Sequence, residues 1–172
     1  MDETFEARRD RDALRPVSAR VLAGGEGPGG TLLDRVFAHE DIARVRHAVQ
    51  ALLTTAGFGG DRLQSFVLAV NEIITNAVLH AGGRGRVVLR PAGHSIWCTV
   101  TDSGPGIPQH FRHPPEVPAA YEVGGRGIWL AYRLCDEVTM ATGPIGTTIG
   151  LRMALPGAPA ASGQVSDLPG GG

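Results

Sequence analysis

The order of elements legible in the chain predicts an α+β fold in two layers, a mostly antiparallel sheet of four to five strands with three helices on one face. Three observations lead there. Segments of strand character follow one another across short turns, which favours antiparallel pairing. Helical periodicity appears in three places, enough to cover only one face of such a sheet. A length of 172 residues suffices for one domain with a real core and is too short for two well-developed ones.

Each element has its own signal. Residues 1–30 are charged at first and then glycine-rich through Gly24-Gly25-Glu26-Gly27-Pro28-Gly29-Gly30, so burial cannot offset the entropy of ordering them. A flexible arm is expected there, with 17–22 able to add a short edge strand. The folded unit is expected at 31–156, beginning with a strand at 31–38. Over 40–56, Ile42, Val45, Val49, Leu52 and Leu53 recur at helical spacing, and Gly57, Gly59 and Gly60 end the helix. Asp61 is placed to cap a second helix, whose Leu63, Phe66, Val67, Val70, Ile73, Ile74, Ala77 and Val78 form a broad apolar face reaching His80. Gly82, Gly83 and Gly85 stop it. Residues 87–90 and 95–102 read as a hairpin around Pro91-Ala92-Gly93-His94. The proline-rich stretch 104–123 has no period and is long for a plain connection, so a functional loop or lid is expected. A third helix at 127–134 and strands at 137–141 and 147–153 follow. Residues 157–172, rich in glycine, proline and alanine, read as a disordered tail.

Composition narrows the function. The formal charge is -1, with 16 basic and 17 acidic side chains, which argues against wrapping nucleic acid or lying on anionic lipid. No apolar run is long enough to span a bilayer, and the acidic start lacks the pattern of a secretory signal, so a soluble, cytoplasmic protein is expected. Cys98 and Cys135 stand singly in apolar stretches and read as buried reduced thiols. All 16 basic residues are arginine. A Walker A loop and a eukaryotic-type protein kinase site both require a lysine, so any ATP chemistry must hold phosphate differently.

Four segments carry candidate chemistry. Glu72 and Asn76, four apart on the second helix, stack on one face. The Asn76 amide oxygen suits Mg2+, which takes few protein ligands, and Glu72 is left as a base; the same pair also suits a solvated outer face. At a strand end, Asp102 in Asp102-x-Gly104-x-Gly106 can accept from the exocyclic amine of adenine while the glycines admit a flat ring, although the run equally reads as an ordinary turn. Gly125-Arg126-Gly127 opens the third helix, where unpaired backbone N–H groups suit phosphate; a glycine hinge and an exposed Arg126 are the plainer reading. In Gly146-Thr147-Thr148 a hydroxyl can complete an adenine pocket, and β-propensity alone also accounts for the threonines.

In order and spacing these four segments resemble the N box, the two glycine boxes and the late threonine of the GHKL ATPase and kinase superfamily. The resemblance covers roughly 31–153. Within it, the stretches 70–80 and 125–148, including Leu134-Cys135-Asp136-Glu137-Val138, are similar to the anti-sigma-factor serine kinases of sporulation and general stress control. Sensor histidine kinases share the boxes but need a phosphoacceptor histidine on a preceding helix, and gyrase-like members need a following transducer domain. The six histidines lack ligand spacing, though His80 falls one turn along the stripe of Glu72 and Asn76.

The resemblance implies a Bergerat fold and an ATP- and Mg2+-dependent serine/threonine protein kinase that acts as an anti-sigma factor or partner-switching regulator. Its implied partners are a sigma factor and an antagonist protein phosphorylated on Ser or Thr, with homodimers common in the family. It places Glu72 as base, Asn76 on the metal, Asp102 and Thr147 on adenine, and the lid at 107–123 with Gly125 and Gly127 over the triphosphate. An arginine that docks partners in the family corresponds to Arg44 in Glu40-Asp41-Ile42-Ala43-Arg44-Val45. A nucleotide-binding module that sequesters its target without phosphorylating it, and a slow ATPase, are the alternatives.

Overall fold

The computed structural model describes residues 30–109 and 126–155. The expected arm with its edge strand at 17–22, the tail at 157–172, most of the lid at 107–123, and Gly125 lie outside the described residues.

The chain forms β1 (Leu33–Ala38), a 3-10 turn (His39–Asp41), α1 (Ile42–Thr55), α2 (Gly60–His80), β2 (Arg84–Ala92), β3 (Ser95–Asp102), α3 (Arg126–Leu134), β4 (Glu137–Gly143) and β5 (Gly146–Ala154). One five-stranded sheet results, in the order β1-β2-β3-β5-β4, with every neighbouring pair antiparallel. The expected α+β architecture is therefore present. The strands run further than their apolar cores suggested, because pairing extends β2 to Arg84 against β1 and to Ala92 against β3, and β4 to Gly143.

Alternation separates the two faces of the sheet. Leu33, Leu89, Cys98 and Leu151 lie in register across four strands and are all buried, as are Val87, Val100 and Ile149 in the next row. The opposite face carries charged and hydroxyl side chains, with Trp97 and the exposed Val36 among them. There Asp34 accepts two hydrogen bonds from Arg86, at 2.7 Å from Nε and 2.6 Å from Nη2, which holds its carboxyl below the ordinary value. Arg152 donates to Glu137 at 2.7 Å on the same face.

The helices cover the apolar face. In α1 the buried residues are Val45, Val49, Leu52 and Leu53, the spacing of one helical stripe. Its end is closed by Gly57 N–H donating to Thr54 O at 3.1 Å and Phe58 N–H to Leu53 O at 3.0 Å, a Schellman arrangement that also buries Phe58 against the core. The expectation that Asp61 caps α2 is corrected: the N-cap is Gly59, and Asp61 lies inside the first turn without a cap bond. Its negative charge still suits the positive end of the helix dipole. Arg62 ties this end of α2 to the sheet by donating to Asp136 Oδ2 at 2.8 Å and Ala154 O at 3.1 Å.

Cys98 and Cys135 are free thiols. Burial raises the pKa of Cys98 well above the usual thiol range and, with the nearby Asp136 carboxylate, pushes that of Cys135 up to about 12. Such thiols stay protonated at neutral pH and are poor nucleophiles. No described helix is long and apolar enough to cross a membrane.

Candidate functional site

A cavity of about 290 Å³ opens at one end of the core, between the last turns of α2, the ends of β3 and β5, the turn at 105–108 and the start of α3. Its volume is near the lower end of the range for small-molecule sites. Ile73, Ala77, Val100, Ile128 and Ile149 make apolar walls, and Asn76, His80, Asp102 and Thr147 supply the polar groups. Apolar walls with a few convergent polar groups suit a flat heteroaromatic ring.

The polar groups follow from register. Asp102 and Val100 are two apart in β3 and so point to the same, inner, face; Thr147 pairs with Asp102 across β5, and Thr142 pairs with Thr147 across the β4–β5 hairpin. One row at the sheet end thus carries Asp102, Thr147 and Thr142. Asp102 Oδ1 accepts the Gly104 N–H at 2.9 Å and the Thr147 N–H at 3.2 Å. Both bonds fall on one oxygen. Oδ2 makes no hydrogen bond among the described residues, and it is available to a donor in the cavity.

The glycines of this segment are required by packing. A Cβ at Gly104 would lie 2.5 Å from the Cβ of Ala81, at the end of α2. Gly106 has φ +87, and a Cβ there would collide with the carbonyl of Gly143. Together they seat the turn closely against the end of α2 and the end of β4. Gly127 does the same for α3: its Cβ would lie 2.6 Å from Asn76 Nδ2 and 3.3 Å from Glu72 Cβ. The close approach of α3 to α2 therefore occurs at the Glu72–Asn76 stripe, which the linear spacing did not foretell.

Asn76 lines the cavity, and its Nδ2 is buried without a hydrogen-bond partner among the described residues. A buried amide left incomplete at a cavity wall is a group that a bound ligand can satisfy. Its two ends are nearly identical in shape, so half a turn presents oxygen instead. The residues present therefore fit a magnesium–nucleotide ligand: one amide oxygen donor, an acceptor carboxylate and three positions where backbone comes close. Among the described residues no cluster of three or more His, Cys, Asp or Glu could hold a metal ion, so phosphate and water would supply the remaining ligands.

Glu72 is half-buried beside Asn76, outside the cavity lining, and makes no hydrogen bond or ion pair among the described residues. Arg126 is exposed at the first position of α3. Thr148 alternates to the opposite face of the sheet, 3.1 Å from Thr101 Oγ1 and away from the cavity. Arg44 is 60% exposed on α1 and donates to Asp41 at 2.8 Å, far in the chain from every cavity residue. His80 does line the cavity.

Thr142 escaped the sequence reading. Its hydroxyl lies 2.9 Å from that of Thr147 and accepts the Ile107 N–H at 2.8 Å. The available signal was the two-residue turn at Pro144 and Ile145, which sets position 142 opposite 147.

Comparison with known proteins places the fold in a family. Residues 37–153 match the model of the histidine kinase-like ATPase domain. No curated protein matches. Among solved structures, the RsbU and RsbW domains of Rv1364c from Mycobacterium tuberculosis superpose with a TM-score of 0.51 at 20% identity, over 71% of this chain and 32% of that one. The chain thus spans about a third of that protein, and the likeness is one of fold. The histidine kinase domain of a blue-light-activated kinase from Erythrobacter litoralis gives a TM-score of 0.45 at 24% identity, over 78% of this chain and 67% of that one. With the family model covering more than half of its residues, both sheet hairpins and all three helices, the chain belongs to the histidine kinase-like ATPase domain family.

Proposed function

We propose that the chain is an ATP- and Mg2+-dependent serine/threonine protein kinase that regulates transcription as an anti-sigma factor or partner switch. The observation that carries the nucleotide reading is Asp102, whose Oδ1 is engaged by two backbone N–H groups while Oδ2 is left for a donor. An acceptor-only carboxylate fixed in a cavity with apolar walls selects a ring that bears an amine, as adenine does. Thr147, buried on the same row, supplies the second polar contact.

Phosphate then extends toward Asn76 and the start of α3, where Gly127 brings backbone close and Arg126 provides a cation. When bound through the Asn76 oxygen, Mg2+ neutralises charge on the phosphates. Glu72, one helical turn before Asn76, takes the proton of the attacking Ser or Thr hydroxyl. Catalysis of this kind consists mainly of positioning and charge stabilisation, and a lysine is not required for it here. Gly125 and the lid at 107–123 belong to the same reading, as the segment that closes over the triphosphate. The similarity of 70–80 and 125–148 to the anti-sigma-factor kinases supports a sigma factor and an antagonist protein as partners, with Arg44 on the exposed side of α1 as a docking residue and a homodimer as the assembly.

A second reading has an observation of its own. Glu72 is outside the cavity lining, so a module that binds nucleotide and sequesters a partner without phosphorylating it also accommodates the geometry. Incubation with γ-labelled ATP and candidate antagonist proteins separates the two. Label on antagonist serine or threonine supports the kinase, free phosphate alone supports a slow ATPase, and neither product supports the binding module.

A further inference from the structure

We propose that the outer face of α2 is the surface on which the phosphoacceptor protein docks, with the exposed Leu68 and Leu79 as apolar anchors on either side of Glu72. The inference rests on the kinase reading and adds to it the place where the protein substrate sits.

Helical spacing puts these residues together. Leu68, Glu72, Thr75 and Leu79 follow one another at intervals of four, three and four, so they form one stripe along α2. The opposite stripe, with Leu63, Phe66, Val70, Ile73 and Ala77, is buried in the core. α1 and α3 both pack on α2, which makes it the middle helix of the layer. The outer stripe therefore runs between its two neighbours. Glu72 and Thr75 are half-buried there, while Leu68 and Leu79 remain 44% and 63% exposed. Val36 and Ile145 are the other large apolar side chains left exposed among the described residues, and neither shares an element with another. A single exposed leucine is ordinary on a protein surface. Two that bracket an unpaired carboxylate on one helix face mark a contact surface.

The position of Glu72 identifies the occupant. None of the four stripe residues lines the cavity, so adenine held there leaves the stripe open. A hydroxyl that gives its proton to Glu72 must arrive from outside the cavity, along the helical surface. Gly127 favours this approach: a Cβ there would lie 3.3 Å from Glu72 Cβ, so glycine lets α3 pack close without adding a side chain beside the carboxylate. On transfer, the acceptor oxygen bonds to the γ-phosphorus as the bond to the bridging oxygen of ADP breaks, and the acceptor proton passes to Glu72. At the helical rise, Leu68 lies roughly 6 Å before Glu72 along the axis and Leu79 roughly 10.5 Å beyond it. The fitting partner is a protein that presents a serine or threonine between apolar side chains, over about the span of a five-residue strand. Arg44, on the exposed side of α1, belongs to the same helical layer.

The test uses the full chain and the antagonist protein that takes label from γ-labelled ATP, with its concentration varied. Leu68→Gln and Leu79→Gln keep length and helix propensity but remove the apolar ends. Each is expected to raise the KM for the antagonist roughly three- to tenfold, and the pair multiplicatively, with kcat and Mg-ADP affinity unchanged. Leu68→Met and Leu79→Met keep the apolar contact and hold that KM within about twofold of the wild type. Val36→Thr, exposed on the sheet instead, leaves it unchanged. Both glutamine variants are expected to fold because the leucines are exposed, and should one fail, the other carries the comparison. An unchanged KM for the antagonist in folded glutamine variants overturns the proposal while the kinase reading stands. A parallel loss of Mg-ADP affinity overturns it too, because the stripe then serves the nucleotide site. So does a changed mass in light scattering, which assigns the stripe to a second copy of the chain. If no antagonist takes label from the wild type, the kinase reading fails and this inference falls with it.

Discussion

Replacing Asp102 by asparagine changes one atom of the side chain and inverts what the cavity meets. In the wild type, Oδ1 accepts from the N–H groups of Gly104 and Thr147 at 2.9 and 3.2 Å, and Oδ2 is left to the ligand. The asparagine carbonyl can take over the role of Oδ1, because the opposite orientation would set an NH2 group against two backbone donors. The turn and the strand end therefore keep their bonds, and the NH2 group faces the cavity. There it meets the amine of adenine, donor against donor. The lost bond is charge-assisted and worth about 1.5–3 kcal/mol, and leaving a donor unpaired at the cavity wall costs about 1 kcal/mol more. A loss of about 3 kcal/mol corresponds to roughly a hundredfold weaker ADP binding. Titration calorimetry with Mg-ADP measures it, and thermal unfolding of the unliganded variant should shift little because the backbone bonds survive. An affinity within twofold of the wild type, in a folded variant, would refute the placement of adenine against Asp102.

Other substitutions separate the remaining roles. Glu72→Gln preserves shape but cannot accept a proton, so phosphoryl transfer should fall by a factor of roughly 10² or more while ADP affinity is retained; Asn76→Ala should damage both, and equal loss of binding in the two variants would reject the division of labour. Gly127→Ala should destabilise the fold by about 1–2 kcal/mol, because overpacking against Asn76 Nδ2 at 2.6 Å outweighs the gain in helix propensity; a higher melting temperature in a thermal scan would count against the close approach of α3 to α2. Arg44→Ala removes a single exposed pair with Asp41 and should cost under about 1 kcal/mol of stability. If Arg44 docks partners, the same variant loses about tenfold or more in affinity for the antagonist, measured by calorimetry, with nucleotide binding intact.

The residues explain why some of this was legible in the sequence and some was not. Helices declared themselves because their buried positions repeat with the helical period, and Leu63 through Val78 appear in the core as that period requires. Asp102 and its glycines stood out because a carboxylate in a glycine turn is a local pattern. The choice between Thr147 and Thr148 was not local. It depends on which one shares a face with Asp102, a matter of strand register, and only Thr147 does. Asp61 looked like a cap because Asp favours caps, yet Gly59 holds that place and the helix starts earlier. Thr142 was invisible for a related reason: its importance comes from Ile107, distant in sequence, and from a partner across a hairpin. The sequence pattern around Gly127 suggested a phosphate-facing glycine, whereas its steric requirement arises from Asn76 on another helix.

Crystals of the full chain grown with ADP and Mg2+ decide where the nucleotide sits. The account predicts adenine in the cavity between Ile73, Val100 and Ile149, with its amine within hydrogen-bond distance of Asp102 Oδ2, its phosphates toward the start of α3, and Mg2+ bound through Asn76. Adenine seated elsewhere, or facing Asp102 through an edge that carries no amine, would contradict it.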